Sequence, residues 1–163
     1  MHTIEIDAHF SRAEKYRLLL PQIESLIADE PDLIANLANI AAVLKENMGF
    51  FWVGFYRRIG EDLVLGPFQG SLACTRIPLN KGVCGACATK GQTIIVPDVD
   101  AFPGHIACSS LSRSEITVPL ANAAGITQLV LDIDSNMLND FDETDARHLE
   151  KLMELLQPFF QTQ

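Results

Sequence analysis

The stretch FFWVGFYRRIGEDLVLGPFQG, residues 50–70, marks the point where the chain changes from helical to strand periodicity. Its first half is rich in aromatic and β-branched residues, and a second apolar run follows a Gly-Glu-Asp turn at 60–62. Two such runs joined by a short turn that contains glycine are typical of a β-hairpin. We therefore expect a sheet to begin at residue 50.

Helical patterns precede this hairpin, over residues 1–48. Apolar residues from Tyr16 to Ile27 recur at the spacing of one helix face. Pro21 lies inside that pattern and is expected to kink or divide the helix, because proline lacks a backbone donor. A second helix follows, and Gly49 is expected to end it as a C-cap.

Beyond the hairpin, short strands alternate with turns as far as residue 135, and a small helix is expected to end at Gly91. The segment 98–114 is the longest stretch without a pattern, which favours a functional loop. A C-terminal helix is expected over 142–160. Terminal helices around a run of sequential strands predict one α+β domain over 1–163, in which a central, largely antiparallel sheet carries the helices on one side.

Composition excludes several classes of function. The chain has 163 residues, half of them hydrophobic, and a net charge of −9 without a basic patch. We therefore expect neither a nucleic-acid partner nor a membrane surface. No run of 18 apolar residues and no signal-peptide pattern appears, so the expected location is cytoplasmic.

Four cysteines could carry chemistry. In a reducing cytoplasm a disulfide would be transient and catalytic rather than structural. Cys84 and Cys87 have CxxC spacing, but with only Cys74, Cys108 and His105 to complete it, a zinc site is disfavoured. Cys87 suits a buried core position. Cys108 lies among serines in the 98–114 loop, where backbone donors or a protonated His105 would stabilise a thiolate.

Three acidic residues form a second candidate group. Asp132 and Asp134 flank Ile133 in an apolar strand, so both side chains point to the same face. Glu115 begins another strand. Carboxylates clustered in apolar surroundings repel one another, so at least one should have a raised pKa and could donate a proton. The alternative from these residues alone is a pair of surface carboxylates at a strand end.

Aromatic residues form a third group. Alternation puts Trp52, Gly54 and Tyr56 on one face of the first hairpin strand. This face could be a pocket wall, with room left by the glycine. An ordinary half-buried sheet face is an equally good interpretation.

Taken together, five motifs resemble those of the free methionine-(R)-sulfoxide reductases, which are single GAF-type domains. They occur in the same order as in that family and span about residues 50–142. The motifs are WVGFY (52–56), ACTRIPLNKGVCG (73–85), DVDAFPGHIAC (98–108), SEITVPL (114–120) and LDIDS (131–135).

The resemblance implies a thiol-dependent reductase of free methionine-(R)-sulfoxide. Cys108 would attack the sulfoxide sulfur, leaving methionine and a sulfenic acid. A second cysteine would then form a disulfide that thioredoxin or a similar reductant reopens. Cys74 and Cys84 both match resolving or relay positions, and their order stays open. Cys87 is additional to the family's three cysteines and is a third possible partner.

The resemblance also implies a substrate pocket that needs no metal and no organic cofactor. Trp52 and Tyr56 would enclose the substrate. Glu115, Asp132 and Asp134 would bind its ammonium group, and Glu115 would assist catalysis by helping to protonate the sulfoxide oxygen. The competing hypotheses are a non-enzymatic GAF domain that senses a small ligand, and a redox switch. The apolar face of the first helix further suggests a homodimer.

Overall fold

A computed structural model describes residues 6–7, 9–106 and 108–161 of the chain. Six strands form one sheet: β1 (Trp52–Ile59), β2 (Asp62–Gln69), β3 (Arg76–Pro78), β4 (Ile94–Val96), β5 (Ser114–Ala121) and β6 (Thr127–Ser135). Their order across the sheet is β3-β2-β1-β6-β5-β4, and all neighbouring pairs are antiparallel. The predicted hairpin is confirmed, with Ile59 opposite Asp62.

Three helices cover one face of this sheet: α1 (Arg12–Ile27), α2 (Leu33–Met48) and α4 (Glu143–Glu154). Apolar side chains from β1, β5 and β6 meet them in a single large core. Gly49 ends α2 in the left-handed conformation, with φ of 71°, which glycine adopts without steric cost. The expected α+β fold, with an antiparallel sheet and the terminal helices on one side, is confirmed.

One proline lies inside α1 and another follows α4. Pro21 does not divide α1, which runs unbroken from Arg12 to Ile27. Pro21 and Arg17 are both exposed, so water can satisfy the carbonyl that the proline leaves unbonded. The C-terminal α-helix, expected over 142–160, ends instead at Glu154, and a 3-10 helix follows at Gln157–Phe160. Pro158 accounts for this end, because its ring would clash with the carbonyl four residues earlier.

The apolar face of α1, from which we expected a homodimer, packs within the chain itself. Tyr16, Leu19, Ile23 and Ile27 are all buried in the core between α1 and the other helices. This face is therefore already covered without a second copy. None of the helices in the described ranges is long and apolar enough to cross a membrane.

The opposite face of the sheet carries a shorter helix, α3 (Gly82–Lys90), and two loops. Gly91 ends α3 as predicted, with φ of 63°. One loop joins β2 to β3 over residues 70–75, and the other joins β4 to β5 over residues 97–113 and contains a 3-10 helix at Val99–Ala101. These loops and α3 surround the site described next.

Candidate active site

A cavity lies between α3, the two loops and the sheet. About 30 Å³ of its volume is open to water. Its walls include all the candidate catalytic and binding side chains from the sequence except Cys74 and Cys87: Trp52, Tyr56, Cys84, Cys108, Glu115, Asp132 and Asp134. Residues that lie up to 82 positions apart in the sequence therefore converge on one small space.

Strand register brings the three acids together. Asp134 of β6 lies opposite Glu115 of β5 on one side and opposite Trp52 of β1 on the other. Asp132, two residues earlier, points to the same face of the sheet. Because cross-strand partners share a face, alternation along β6 is enough to aim both aspartates at the side chains of their neighbours.

The environment of these acids favours their protonated forms. Burial raises the pKa of Glu115 and of Asp132 well above the usual range, and repulsion from neighbouring carboxylates adds to the effect. Burial also raises the pKa of Asp134, to about 6, although a hydrogen bond with Ser112 opposes the change. The predicted raised pKa is confirmed for all three groups. The cavity therefore holds carboxylic acids able to donate a proton near neutral pH.

The four cysteines fall into two pairs. Cys74 and Cys108 form a disulfide that joins the two loops at the edge of the cavity. Cys84 and Cys87 are free and buried in α3. The core position predicted for Cys87 is confirmed, since its side chain is fully buried and burial raises its pKa to about 12.

Cys84 is the free thiol that faces the cavity. Its Sγ lies 4.0 Å from Oε1 of Glu115. Burial raises the pKa of Cys84 well above that of an ordinary thiol, and the nearby charges of Asp132 and Glu115 raise it further. Cys84 is therefore held as a neutral thiol, which is a poor nucleophile.

Aromatic side chains of β1, the strand beside the two aspartates, line the cavity and hold the 70–75 loop. The ring of Trp52 stacks on Phe68, with centroids 5.5 Å apart, and its Nε1 donates to the carbonyl of Ser71 at 3.0 Å. The hydroxyl of Tyr56 donates to the carbonyl of Cys74 at 2.9 Å. Both residues therefore line the cavity and also fix the loop that carries one half of the disulfide.

The chain is similar to known proteins over most of its length. The sequence model of the GAF domain family matches residues 28–159. A free methionine-R-sulfoxide reductase of Escherichia coli is 40% identical over 153 residues, which cover 93% of this chain and 92% of that protein. A solved free methionine-R-sulfoxide reductase from Neisseria meningitidis, in complex with its substrate, is 57% identical with a TM-score of 0.94 and covers 98% of this chain and 96% of that one.

The chain belongs to the free methionine-R-sulfoxide reductase family of GAF domains.

Membership of this reductase family makes the chain an oxidoreductase and confirms the GAF fold. A second curated relative, from Saccharomyces cerevisiae, carries the same name at 37% identity, covering 94% of this chain and 89% of that protein.

One detail of the pocket in this family member concerns the strand face that carries Gly54. In one of the two interpretations of this strand face, Gly54 leaves room for a ligand, but that space is filled by the indole of Trp52. A Cβ built at Gly54 would lie 2.2 Å from Cη2 of that ring and 2.6 Å from Cβ of Phe68. The glycine therefore makes room for the tryptophan, and the tryptophan forms the wall.

Two further residues help to form the cavity: Phe68, which stacks on Trp52, and Ser112. Phe68 was missed, although it lies opposite Gly54 in the hairpin register and could have been found by pairing the two strands. Ser112 lines the cavity with Ser109, and its hydrogen bond with Asp134 depends on tertiary structure. His105 reaches the cavity 3.9 Å from Glu115. Burial lowers the pKa of His105, so its support for a thiolate is weaker than expected.

Proposed function

We propose that this chain reduces free methionine-(R)-sulfoxide to methionine, with Cys108 as the nucleophile. The observation that carries the proposal is the pairing of Cys74 with Cys108 at the edge of an acid-lined cavity, into which Cys108 faces and Cys74 does not. The relative from Neisseria meningitidis, named as this reductase and solved with its substrate, supports the same conclusion.

In the first step, the Cys108 thiolate attacks the sulfur of the sulfoxide. The sulfoxide oxygen is polarised and protonated by Glu115, whose raised pKa keeps a proton available. The oxygen passes to the sulfur of Cys108, and methionine leaves with its sulfur reduced by two electrons. Cys108 is left as a sulfenic acid.

In the second step, the thiol of Cys74 condenses with this sulfenic acid, which forms the disulfide and releases the oxygen as water. Cys74 suits this role better than Cys84 or Cys87, because those two thiols are buried and their pKa values are raised. A thioredoxin-like dithiol then transfers two electrons to the disulfide and is itself oxidised, which restores both thiols.

Substrate recognition follows from the charges of the pocket. Asp132 and Asp134 offer carboxyl oxygens to an ammonium group, whose positive charge would favour their ionised forms. A methionine within a peptide lacks this ammonium group. The flat face of Trp52 suits the methyl group on sulfur. The 30 Å³ open to water in the disulfide form is space for two or three water molecules. The substrate should therefore bind after the disulfide opens and the two loops separate.

A single-turnover experiment tests the proposal. Reduced protein is freed of reductant and mixed with excess free L-methionine-(R)-sulfoxide, and methionine and disulfides are measured by mass spectrometry. We expect about one methionine per chain and a Cys74–Cys108 bond. Cys74→Ser should still give one methionine but end as a Cys108 sulfenic acid, whereas Cys108→Ser should give none.

Cys87→Ser is the matched control, since it removes a buried thiol outside the cavity and should behave as the parent does. Methionine release from Cys108→Ser protein would overturn the assignment of the nucleophile. A disulfide to Cys84 or Cys87 after one turnover would overturn the role of Cys74. Adding thioredoxin and its reductase should convert the single turnover into continuous turnover in the parent.

A further inference from the structure

Three ligand-type side chains meet at the base of the cavity. One donor atom from each of Cys84, Glu115 and Asp132 lies within 4.8 Å of the other two, and all three residues are buried. The three come from α3, β5 and β6, so the rigid part of the fold sets their spacing. None of them takes part in the Cys74–Cys108 disulfide.

One atom of this group lacks a partner. Oδ1 of Asp132 is buried and accepts no hydrogen bond from any residue in the described part of the chain, and the residue as a whole is only 7% exposed. A buried carboxylate oxygen without a donor is costly. Because Asp132 lines the cavity, this oxygen is available to a bound group.

The surroundings also lack positive charge. Among the described residues that line the cavity there is no lysine or arginine, and burial lowers the pKa of its one histidine, His105. Repulsion from neighbouring carboxylates contributes to the raised pKa values of Glu115 and Asp132. A bound cation would remove this repulsion and replace the missing donor.

We propose that Cys84, Glu115 and Asp132 form a binding site for Zn²⁺ or another thiophilic divalent cation. Zinc accepts one thiolate and two carboxylate oxygens, while Mg²⁺ and Ca²⁺ prefer oxygen alone. Tetrahedral zinc would space its donors about 3.5 Å apart, and the 4.0 Å between Sγ of Cys84 and Oε1 of Glu115 requires only a small contraction. The thiol proton leaves as the bond forms, and water takes the fourth position on the cavity side.

The site goes beyond the proposed reaction, because it needs neither turnover nor a reduced Cys108. Only its effect on that reaction rests on the proposed function: an ion held by Glu115 and Asp132 would occupy two of the carboxyl groups that are proposed to contact the substrate. Zinc-loaded and substrate-bound forms then exclude each other. Cys84, one of the two cysteines outside the proposed redox chemistry, acquires a role of its own.

Cadmium titration of the oxidised protein tests the site. The Cys74–Cys108 disulfide is first verified by mass spectrometry, so that only Cys84 and Cys87 are free. We expect one Cd²⁺ per chain, an ultraviolet thiolate-to-cadmium charge-transfer band, and displacement of Cd²⁺ by Zn²⁺. Cys84→Ser should abolish the band and weaken binding more than about 100-fold, since losing even a group that only orients a ligand costs about 10- to 100-fold.

Cys87→Ser is the matched control and should bind cadmium as the parent does. Asp132→Asn keeps both thiols and should retain the band while weakening binding by at least about 10-fold, which guards against a folding defect in Cys84→Ser. A parent without the band, equal binding by Cys84→Ser, or loss of binding in Cys87→Ser would overturn the site. Binding is measured without turnover, so a failure of the proposed reduction leaves this result unaffected.

Discussion

Reduction of the Cys74–Cys108 disulfide should lower the thermal stability of the protein by an amount that the chain length between the two cysteines predicts. The bond joins residues 34 positions apart. Closing a loop of that length removes conformational entropy from the unfolded chain and is worth about 4 kcal/mol at 25 °C. For a chain of 163 residues, the unfolding entropy converts this free energy into a fall in Tm of about 10 °C on reduction.

Differential scanning calorimetry with and without a phosphine reductant measures the difference. Cys74→Ser and Cys108→Ser should both melt near the reduced parent and show no response to reductant. Cys84→Ser and Cys87→Ser should keep the full difference, because neither thiol is bonded. A parent whose Tm moves by less than about 2 °C, or a response that persists in Cys74→Ser, would refute the loop-entropy argument or the pairing itself.

Two further predictions concern the pocket. Gly54→Ala would put a methyl group 2.2 Å from the Trp52 ring and so displace the indole. KM for the sulfoxide should then rise about tenfold or more, with little change in the yield of one methionine per chain. An unchanged KM would contradict the role of Trp52 as a wall of the cavity. Asp134, with a pKa raised to about 6, binds a proton more tightly when folded than when unfolded, so its contribution to stability falls as pH rises from about 4 through 6. Asp134→Asn should therefore increase the free energy of urea unfolding relative to the parent at pH 8 and not at pH 4. An equal gain in stability at both pH values would show that it does not come from removing the charge of Asp134.

The acidic group and the sheet could be predicted from sequence because both depend on alternation. Once Asp132 and Asp134 are placed in a strand, they must share a face, and any neighbouring strand with an acid at its start can meet them. The same local logic located the ends of α2 and α3, where glycine takes the left-handed conformation. Helix ends and strand faces could be predicted because each depends on the backbone preference of single residues or on alternation along one strand.

The partner of Cys108 could not be predicted in this way. Spacing along a sequence does not show which cysteines meet, because the arrangement of the sheet brings the two loops together. The sequence left two interpretations of the space beside Gly54 for a related reason: a missing side chain shows where room exists, but packing decides which neighbour fills it. The indole of Trp52 folds back over its own strand, and no pattern in the strand indicates that rotation.

The acids also help to explain why Cys84 does not react in place of Cys74 or Cys108, although all three cysteines lie near the cavity. A thiolate at Cys84 would face Asp132 and Glu115 in a buried space, and the cost of that charge appears as its raised pKa. Cys108 lies instead on a half-buried loop beside serines, where a thiolate can be solvated. Burial, reinforced by Asp132 and by the Glu115 that is proposed to protonate the sulfoxide, therefore keeps Cys84 from competing for the sulfenic acid. It follows that Asp132→Asn should lower the pKa of Cys84 and make it more reactive toward alkylating reagents. The effect on Cys87 should be smaller, because there burial and a hydrogen bond with Thr117 outweigh the influence of Asp132.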